Sequence, residues 1–267
     1  MSRFIPLSAS AHQAKGWLKT ADYLFMSDQT AIALVAEELP HAMVTMPVGF
    51  RQRQDGNFEL IAICSLGDEK NLFVHPDGRW LASYKPALAR SYPFLLRHDL
   101  AKKQYVLCVD ESSGLLVDNH DSQGEPFFNE TGEPTELLNQ ILEFLTKWER
   151  QRFVTQKAVD MMASLKLLVP WNINFQTEEG ETTRTLTGFY RVDEKALNAL
   201  PASELNALRQ VNALPIVYAQ LFSQHRLDVL VRLYGLHSKW AGQEPASVDL
   251  ESLFDSGDDS ISFDFDS

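Results

Sequence analysis

The apolar residues change period at Pro134-Thr135-Glu136, and that change limits the chain to folds that join a strand-rich half to a helix-rich half. Before it, 44–50 and 58–66 are apolar-rich runs separated by a polar stretch in which Asp55-Gly56 signals a hairpin turn, so an antiparallel pair is predicted. Residues 71–74 read as short and extended, His75-Pro-Asp-Gly78 as a turn and 104–110 as a further strand. After it, Leu138, Ile141, Leu142, Leu145 and Trp148 recur at three- and four-residue spacing, which predicts a helix over 136–152. Val159, Met162, Leu165 and Leu168 or Val169 predict a second helix over 155–168, stopped by Pro170. A hairpin of 171–176 and 183–192 follows, then short helices over 194–200 and 203–211. A longer helix is predicted from Pro215 to about Leu233, with Gly235 as its stop. The predicted class is α+β: a mainly antiparallel sheet from the N-terminal half and the 171–192 hairpin, packed with helices from the C-terminal half.

Charge divides the chain at a different place. Of a formal net charge of −12, eight units come from Glu244, Asp249, Glu251, Asp255, Asp258, Asp259, Asp264 and Asp266, and no Lys or Arg follows Trp240 among them. Residues 1–241 are therefore expected to form one domain and 242–267 an acidic, mobile tail. Within the tail Ile261, Phe263 and Phe265 alternate with polar residues, as a strand-addition peptide would, which makes Phe263 and Phe265 candidate docking residues. An acidic balance excludes a general nucleic-acid binder, which needs clustered Lys and Arg. An apolar fraction of 45% can fill a core, yet no uninterrupted apolar run is long enough to span a bilayer. The N-terminal residues carry no apolar stretch of signal-peptide length, so the expected compartment is the cytoplasm. Cys64 and Cys108 both fall in apolar runs and read as buried, inert thiols.

The chain has no Gly-x-Gly-x-x-Gly, no phosphate-loop Gly-Lys-Ser/Thr, no Gly-x-Ser-x-Gly and no Cys-x-x-Cys. Its seven histidines are never closer than 12 residues, so none pair at the spacing local zinc ligation favours. One short pattern, His75-Pro-Asp77, matches part of a two-histidine, one-carboxylate iron site and would need a distant third ligand such as His120 or His225. Asp118-Asn-His-Asp121 lacks the glycine a calcium loop requires and reads as a solvated turn. The richer candidate surface lies between residues 71 and 94, where aromatic, Arg and Pro residues interleave. Asn71, Arg79, Trp80, Tyr84, Arg90, Tyr92 and Phe94 suit a groove for a peptide or small molecule, the rings giving area and the guanidinium groups pairing with carboxylates or backbone oxygens. The same residues also suit a core in which Arg and Tyr satisfy buried carbonyls while Trp80 and Phe94 fill volume.

A family resemblance rests on these stretches. Glu38-Leu-Pro-His-Ala with Met46-Pro-Val-Gly-Phe50, Asn71-Leu-Phe-Val with Asp77-Gly-Arg-Trp80, and Tyr84-Lys-Pro86 with Arg90-Ser-Tyr-Pro-Phe94 resemble the bacterial SapC family. Leu107-Cys-Val-Asp110, Gly124-Glu-Pro-Phe-Phe128 with Gly132-Glu-Pro134, Gly188-Phe-Tyr190 with Val192-Asp193, and 214–221 continue the likeness, which spans about 4–235. The sequence departs from the family pattern at His75, where an acidic or small residue is usual, and near Ala89, where a second Arg is usual.

The family is named for an association with bacterial surface layers. The resemblance implies an accessory role beside outer-membrane TonB-dependent receptors, cupin-like hydroxylases or flavin-dependent halogenase-like enzymes. The resulting expectation is a non-enzymatic adaptor that binds a protein or peptide partner, with no cofactor. The alternatives are a metal-dependent enzyme using His75, Asp77 and His120, and an exported surface-layer component whose residues 255–267 act as an uncleaved secretion signal.

Overall fold

The computed structural model describes residues 3–67, 70–99, 104–118, 124–176 and 183–241. The chain opens with β1 (Phe4–Pro6), α1 (Ala9–His12), β2 (Lys15–Trp17), β3 (Ala31–Ala33) and α2 (Leu39–Ala42). It continues through β4 (Val48–Gln52), β5 (Phe58–Ile63), α3 (Ala87–Arg90), β6 (Phe94–Asp99), β7 (Gln104–Asp110), β8 (Leu116–Asp118) and β9 (Glu125–Pro126). The long α4 (Glu136–Ser164) leads to β10 (Leu168–Gln176), β11 (Thr183–Val192), α5 (Glu194–Asn198), α6 (Ala202–Gln210), α7 (Ala213–Ser223) and α8 (Leu227–Trp240).

The strands pair antiparallel throughout, in sheets ordered β10-β11-β4-β5-β3, β1-β7-β6 and β8-β2-β9. The fold is α+β. The predicted β4–β5 hairpin forms, and its turn is closed by Gly56 N–H donating to the Arg53 carbonyl with Gly56 at φ 84°. β4 starts later than the apolar run suggests because the amides of Thr45 and Met46 bond back to the Ala42 carbonyl, prolonging the turn that α2 begins. Residues 71–74 are not a strand. The Asn71 side chain accepts from the Phe73 amide, folding that stretch into a turn, and one isolated bridge joins Val74 to Trp80.

Two helices were expected over 136–168, and the structure has one of 29 residues, about 43 Å at 1.5 Å per residue. Nothing between Arg152 and Thr155 breaks the helix: Phe153 and Val154 are exposed, while Thr155 is buried and its Oγ1 accepts the Ala36 amide at 2.9 Å. Thr135 caps the start by accepting the Leu138 amide. The end is a Schellman motif, with Lys166 N–H bonded to Ala163 O and Leu167 N–H to Met162 O. Lys166 sits in the left-handed region at φ 57°, where glycine is the usual occupant.

Pro170 therefore does not stop a helix. It lies inside β10, an edge strand that pairs only with β11, where a missing N–H is tolerated. The pairing slips between Trp171 and Ile173, leaving an extra residue on β11 beside Gly188 at φ 89°; this bulge re-aims the strand so that Phe189 and Tyr190 meet β4. Gly235 is likewise not a stop. It lies within α8, which buries Val229, Leu230 and Leu233, and this burial outweighs the roughly 1 kcal/mol that an interior glycine costs. The break falls instead at the 3-10 turn Gln224–Arg226, after the buried Ser223, whose Oγ accepts the Val48 amide.

The apolar interior has two main parts, and α4 serves both. Its C-terminal half brings Ala158, Val159 and Met162 to the core under the five-stranded sheet, which Ile216, Val217, Leu230 and Leu233 complete. Its N-terminal half brings Leu138 and Leu145 to a second core with Trp17, Phe94, Val109 and Phe127. Trp148 lies between them, packed with Val35 and Ala87. Cys64 is buried in the first of these cores and Cys108 is buried within β7, and burial pushes both thiols above their usual range, away from reactive thiolate.

Because only Lys166 among the residues that end α4 carries the cost of a left-handed backbone, Lys166→Gly is expected to stabilise the fold by about 0.5–1 kcal/mol. For a chain of this size that corresponds to a rise of roughly 1–4 °C in Tm, measured by circular dichroism. A lower Tm would show that the Lys166 side chain contributes more than its backbone costs.

Candidate functional site

Glu38 ends a 3-10 turn (Ala36–Glu38), and its carboxylate is buried at the junction of three distant stretches. Its Oε1 accepts from the Ala87 amide at 2.7 Å and the Tyr84 hydroxyl at 2.8 Å. Its Oε2 accepts from the Val35 amide at 3.0 Å and Trp148 Nε1 at 3.3 Å. A buried carboxylate is tolerated only when its lone pairs are satisfied, and here four neutral donors satisfy it. Burial, with the Glu38 carboxylate beside it, holds the Tyr84 phenol well above its usual range, so Tyr84 is a donor at any physiological pH.

This junction floors a cleft of about 550 Å³ between α2, the 83–90 stretch and α4. Its walls carry Lys85, Arg90 and Lys147 against Glu37, with His41, Phe144 and Gln151 completing the rim. The His41 ring stacks on Tyr84 with centroids 5.6 Å apart, and Lys147 pairs with Glu37 at 3.3 Å. Beside it lies a second cleft of about 420 Å³, bounded by Trp17, Thr20, Tyr92 and Ile141. Arg90 and Phe144 line both, so together they form the ridge between them. The Arg90 guanidinium sits 5.0 Å from the Phe144 ring centroid, and its Nε donates to the Lys85 carbonyl at 3.1 Å.

The residues singled out from sequence divide among three environments. Tyr84 and Arg90 line the larger cleft; Arg90, Tyr92 and Phe94 line the smaller. Phe94 also reaches into the core, edge-on to Trp17 at 5.2 Å. The Tyr92 ring stacks on Phe25 at 3.8 Å and its hydroxyl donates to Asp110 at 3.2 Å; burial and that carboxylate push its phenol up to about 12. Asn71, Arg79 and Trp80 line neither cleft. Asn71 is buried and donates to the Met26 carbonyl, Trp80 Nε1 donates to the Tyr84 carbonyl, and the exposed Arg79 pairs with Asp77 at 2.7 Å. The seven residues thus do not form one continuous groove, because Asn71 and Trp80 are spent inside the protein and Arg79 is paired elsewhere on the surface.

His75 and Asp77 are close, with Nδ1 2.7 Å from Oδ1, but the contact belongs to the 75–78 turn, which the Gly78 amide closes on the His75 carbonyl. The His75 ring lies against Trp240 at 4.3 Å. Among the described residues no three His, Cys, Asp or Glu side chains gather as a metal site requires. His120 lies outside the described residues, as do 119–123 of the acidic turn and the tail residues Phe263 and Phe265. Among the described residues no helix is long and apolar enough to cross a membrane.

Sequence reasoning named Glu38 only as part of a family likeness and passed over His41, Lys85, Phe144 and Lys147 as site residues. A local signal existed on α4 alone: Phe144, Lys147, Trp148 and Gln151 share one helical face. The family model described as SapC matches residues 7–230, from just after β1 into α8. No curated protein and no solved structure matches the chain.

Replacing Glu38 by Gln converts one acceptor oxygen into a donor facing N–H or O–H groups. Glu38→Gln is therefore expected to cost about 2–3 kcal/mol, seen as a fall of roughly 5–10 °C in Tm. Tyr84→Phe, which removes one donor and leaves three, is expected to cost about 1 kcal/mol. Equal losses for the two variants would mean that the carboxylate does not organise the junction.

Proposed function

The chain belongs to the SapC family, and on that premise we propose that it is a non-enzymatic accessory protein that holds a protein or peptide partner across the Arg90–Phe144 ridge. The observation that carries this reading is the sharing of one cation and one ring by two clefts. A chain laid over the ridge would enter both, one side chain or backbone turn in each. Arg90 is exposed, yet its Nε is tied to the Lys85 carbonyl and its plane is set against Phe144. Less rotamer freedom is then lost when a carboxylate or carbonyl binds it, which favours affinity. Lys85 and Lys147 supply further positive charge to the larger cleft, so an acid-bearing partner segment suits it. The work of such an adaptor would be beside a modifying enzyme or an outer-membrane uptake system, the setting the family resemblance implies.

The test is a mild affinity purification of the full-length chain from its native bacterium, alongside Arg90→Glu and Arg90→Lys variants, with Tm recorded for each. Losing a charge-assisted contact is expected to weaken capture of the partner by roughly tenfold or more in Arg90→Glu, with less effect in Arg90→Lys. Tm should stay within about 2 °C, as for an exposed side chain. Undiminished capture by a well-folded Arg90→Glu protein would overturn the ridge as the contact.

A further inference from the structure

On the opposite side of α4 from the ridge lies a groove of about 520 Å³ between the helix and the β6–β7 hairpin, lined by Leu96, Tyr105, Glu149, Arg150, Phe153 and Val154. Strand pairing puts Leu96 and Leu107 opposite one another and Tyr105 opposite His98, so all four share the sheet face that α4 covers. Toward the Asp99–Gln104 end the cover is incomplete, and large apolar side chains reach solvent: Phe153 is 62% exposed, Tyr105 52% and Val154 44%. Isolated exposed apolar side chains are ordinary, but three around one concavity are the pattern of a binding surface.

The charge around this groove is opposite to that of the chain. Arg152 bonds Glu149 through Nε and Nη2, Lys157 stands over the Phe153 ring at 4.5 Å, and Arg150 has no carboxylate partner among the described residues. Among the described residues Arg150 and Glu149 line the groove and Arg152 and Lys157 stand beside it, so with Glu149 paired to Arg152 the cations Arg150 and Lys157 are left at its edge in a protein of net charge −12. The complementary segment is in the same chain: residues 242–267 hold eight acidic residues and no Lys or Arg, with Phe263 and Phe265 two apart. We propose that the acidic segment around Phe263 and Phe265 docks in the groove between α4 and the β6–β7 hairpin of its own chain.

Spacing and reach both permit this. Two residues apart in an extended run put both rings on one face about 7 Å apart, a separation suited to one ring against Phe153 and the other against Tyr105. Asp264 and Asp266 would then lie on the alternate face, where only the long side chains of Arg150 and Lys157, reaching up from the rim of the groove, could meet them. Ala241 and Phe263 are 22 positions apart. That stretch spans up to about 70 Å, whereas a domain of this size is about 45 Å across. The exposed Tyr218–Phe222 pair on α7 is also apolar, but α7 itself carries no charged residue to attract an acidic segment.

The experiment replaces Phe263 by the photo-crosslinking residue p-benzoylphenylalanine in the full-length chain and maps the adducts by mass spectrometry. The expected result is an intramolecular adduct on 149–154 or at Tyr105, reduced several-fold by 0.5 M salt and by Arg150→Glu, as a contact with an ionic component should be. Phe153→Ala, at an exposed position, should reduce it similarly without lowering Tm. An adduct on α7, an adduct between two chains, or no adduct would each overturn the proposal. Arg90→Glu, which disables the ridge, should leave the adduct unchanged, so this result and that of the ridge are read separately.

Discussion

A single buried carboxylate ties together three distant parts of the chain whose apolar side chains Val35, Ala87 and Trp148 also pack there. Glu38 binds Val35 within its own turn, Tyr84 and Ala87 from the stretch that enters α3, and Trp148 from the middle of α4. Each donor is neutral, so the charge is stabilised by dipoles that converge on it rather than by an opposite charge. Such an arrangement is stiff, because moving any one donor leaves a charge less well solvated than water would leave it. The larger cleft is built on this floor, and Arg90 at its rim follows Ala87 by less than one helical turn. The position of the ridge is therefore a consequence of where Glu38 sits.

α4 extends the same constraint through the molecule. Trp148 marks its midpoint, the residues before it pack one core and those after it pack the other, and the Ala36 amide is fastened to Thr155 two turns beyond. Its two exposed sides have different tasks. One presents Phe144, Lys147 and Gln151 to the cleft; the side away from it presents Arg150, Phe153 and Val154 to a groove of opposite chemical emphasis, more apolar and aromatic. A helix only about 10 Å wide can separate two surfaces without letting them exchange side chains.

The legibility of the fold in the sequence follows from how local each cause is. β7 and β11 are recoverable residue for residue because their apolar runs are bounded by polar turns. The continuity of α4 was hidden by Phe153 and Val154, apolar residues on the solvent side that blur the helical stripe where no break exists. Pro170 reads as a helix stop in one dimension and is an edge-strand residue in three, since only pairing partners decide which N–H groups are needed. The site was half visible for a related reason. Tyr84 and Arg90 stand out by composition, but so do Asn71 and Trp80, and a ring that lines a cleft has the same letter as one that plugs a core. Glu38 and Lys147 reach the cleft from 46 positions before and 63 after Tyr84, a convergence that no local period encodes.

The order of strands in the largest sheet also has a consequence for the chain as it leaves the ribosome. β4 is flanked by β5, which follows at once, and by β11, whose Phe189 pairs with Arg51. About 140 residues must therefore be made after β4 before its second edge is covered, which at 5–20 residues per second takes roughly 7–28 s. Throughout that interval the β4–β5 hairpin, with Val48, Phe50 and Ile61 destined for the core, has one unpaired edge, and until residue 164 is made it has no complete α4 to lie upon. Nascent chains on a polysome are close neighbours, and an open edge bearing those side chains is the surface through which two of them would join. The cost of a sheet closed by its last strand thus falls during synthesis rather than on the finished protein.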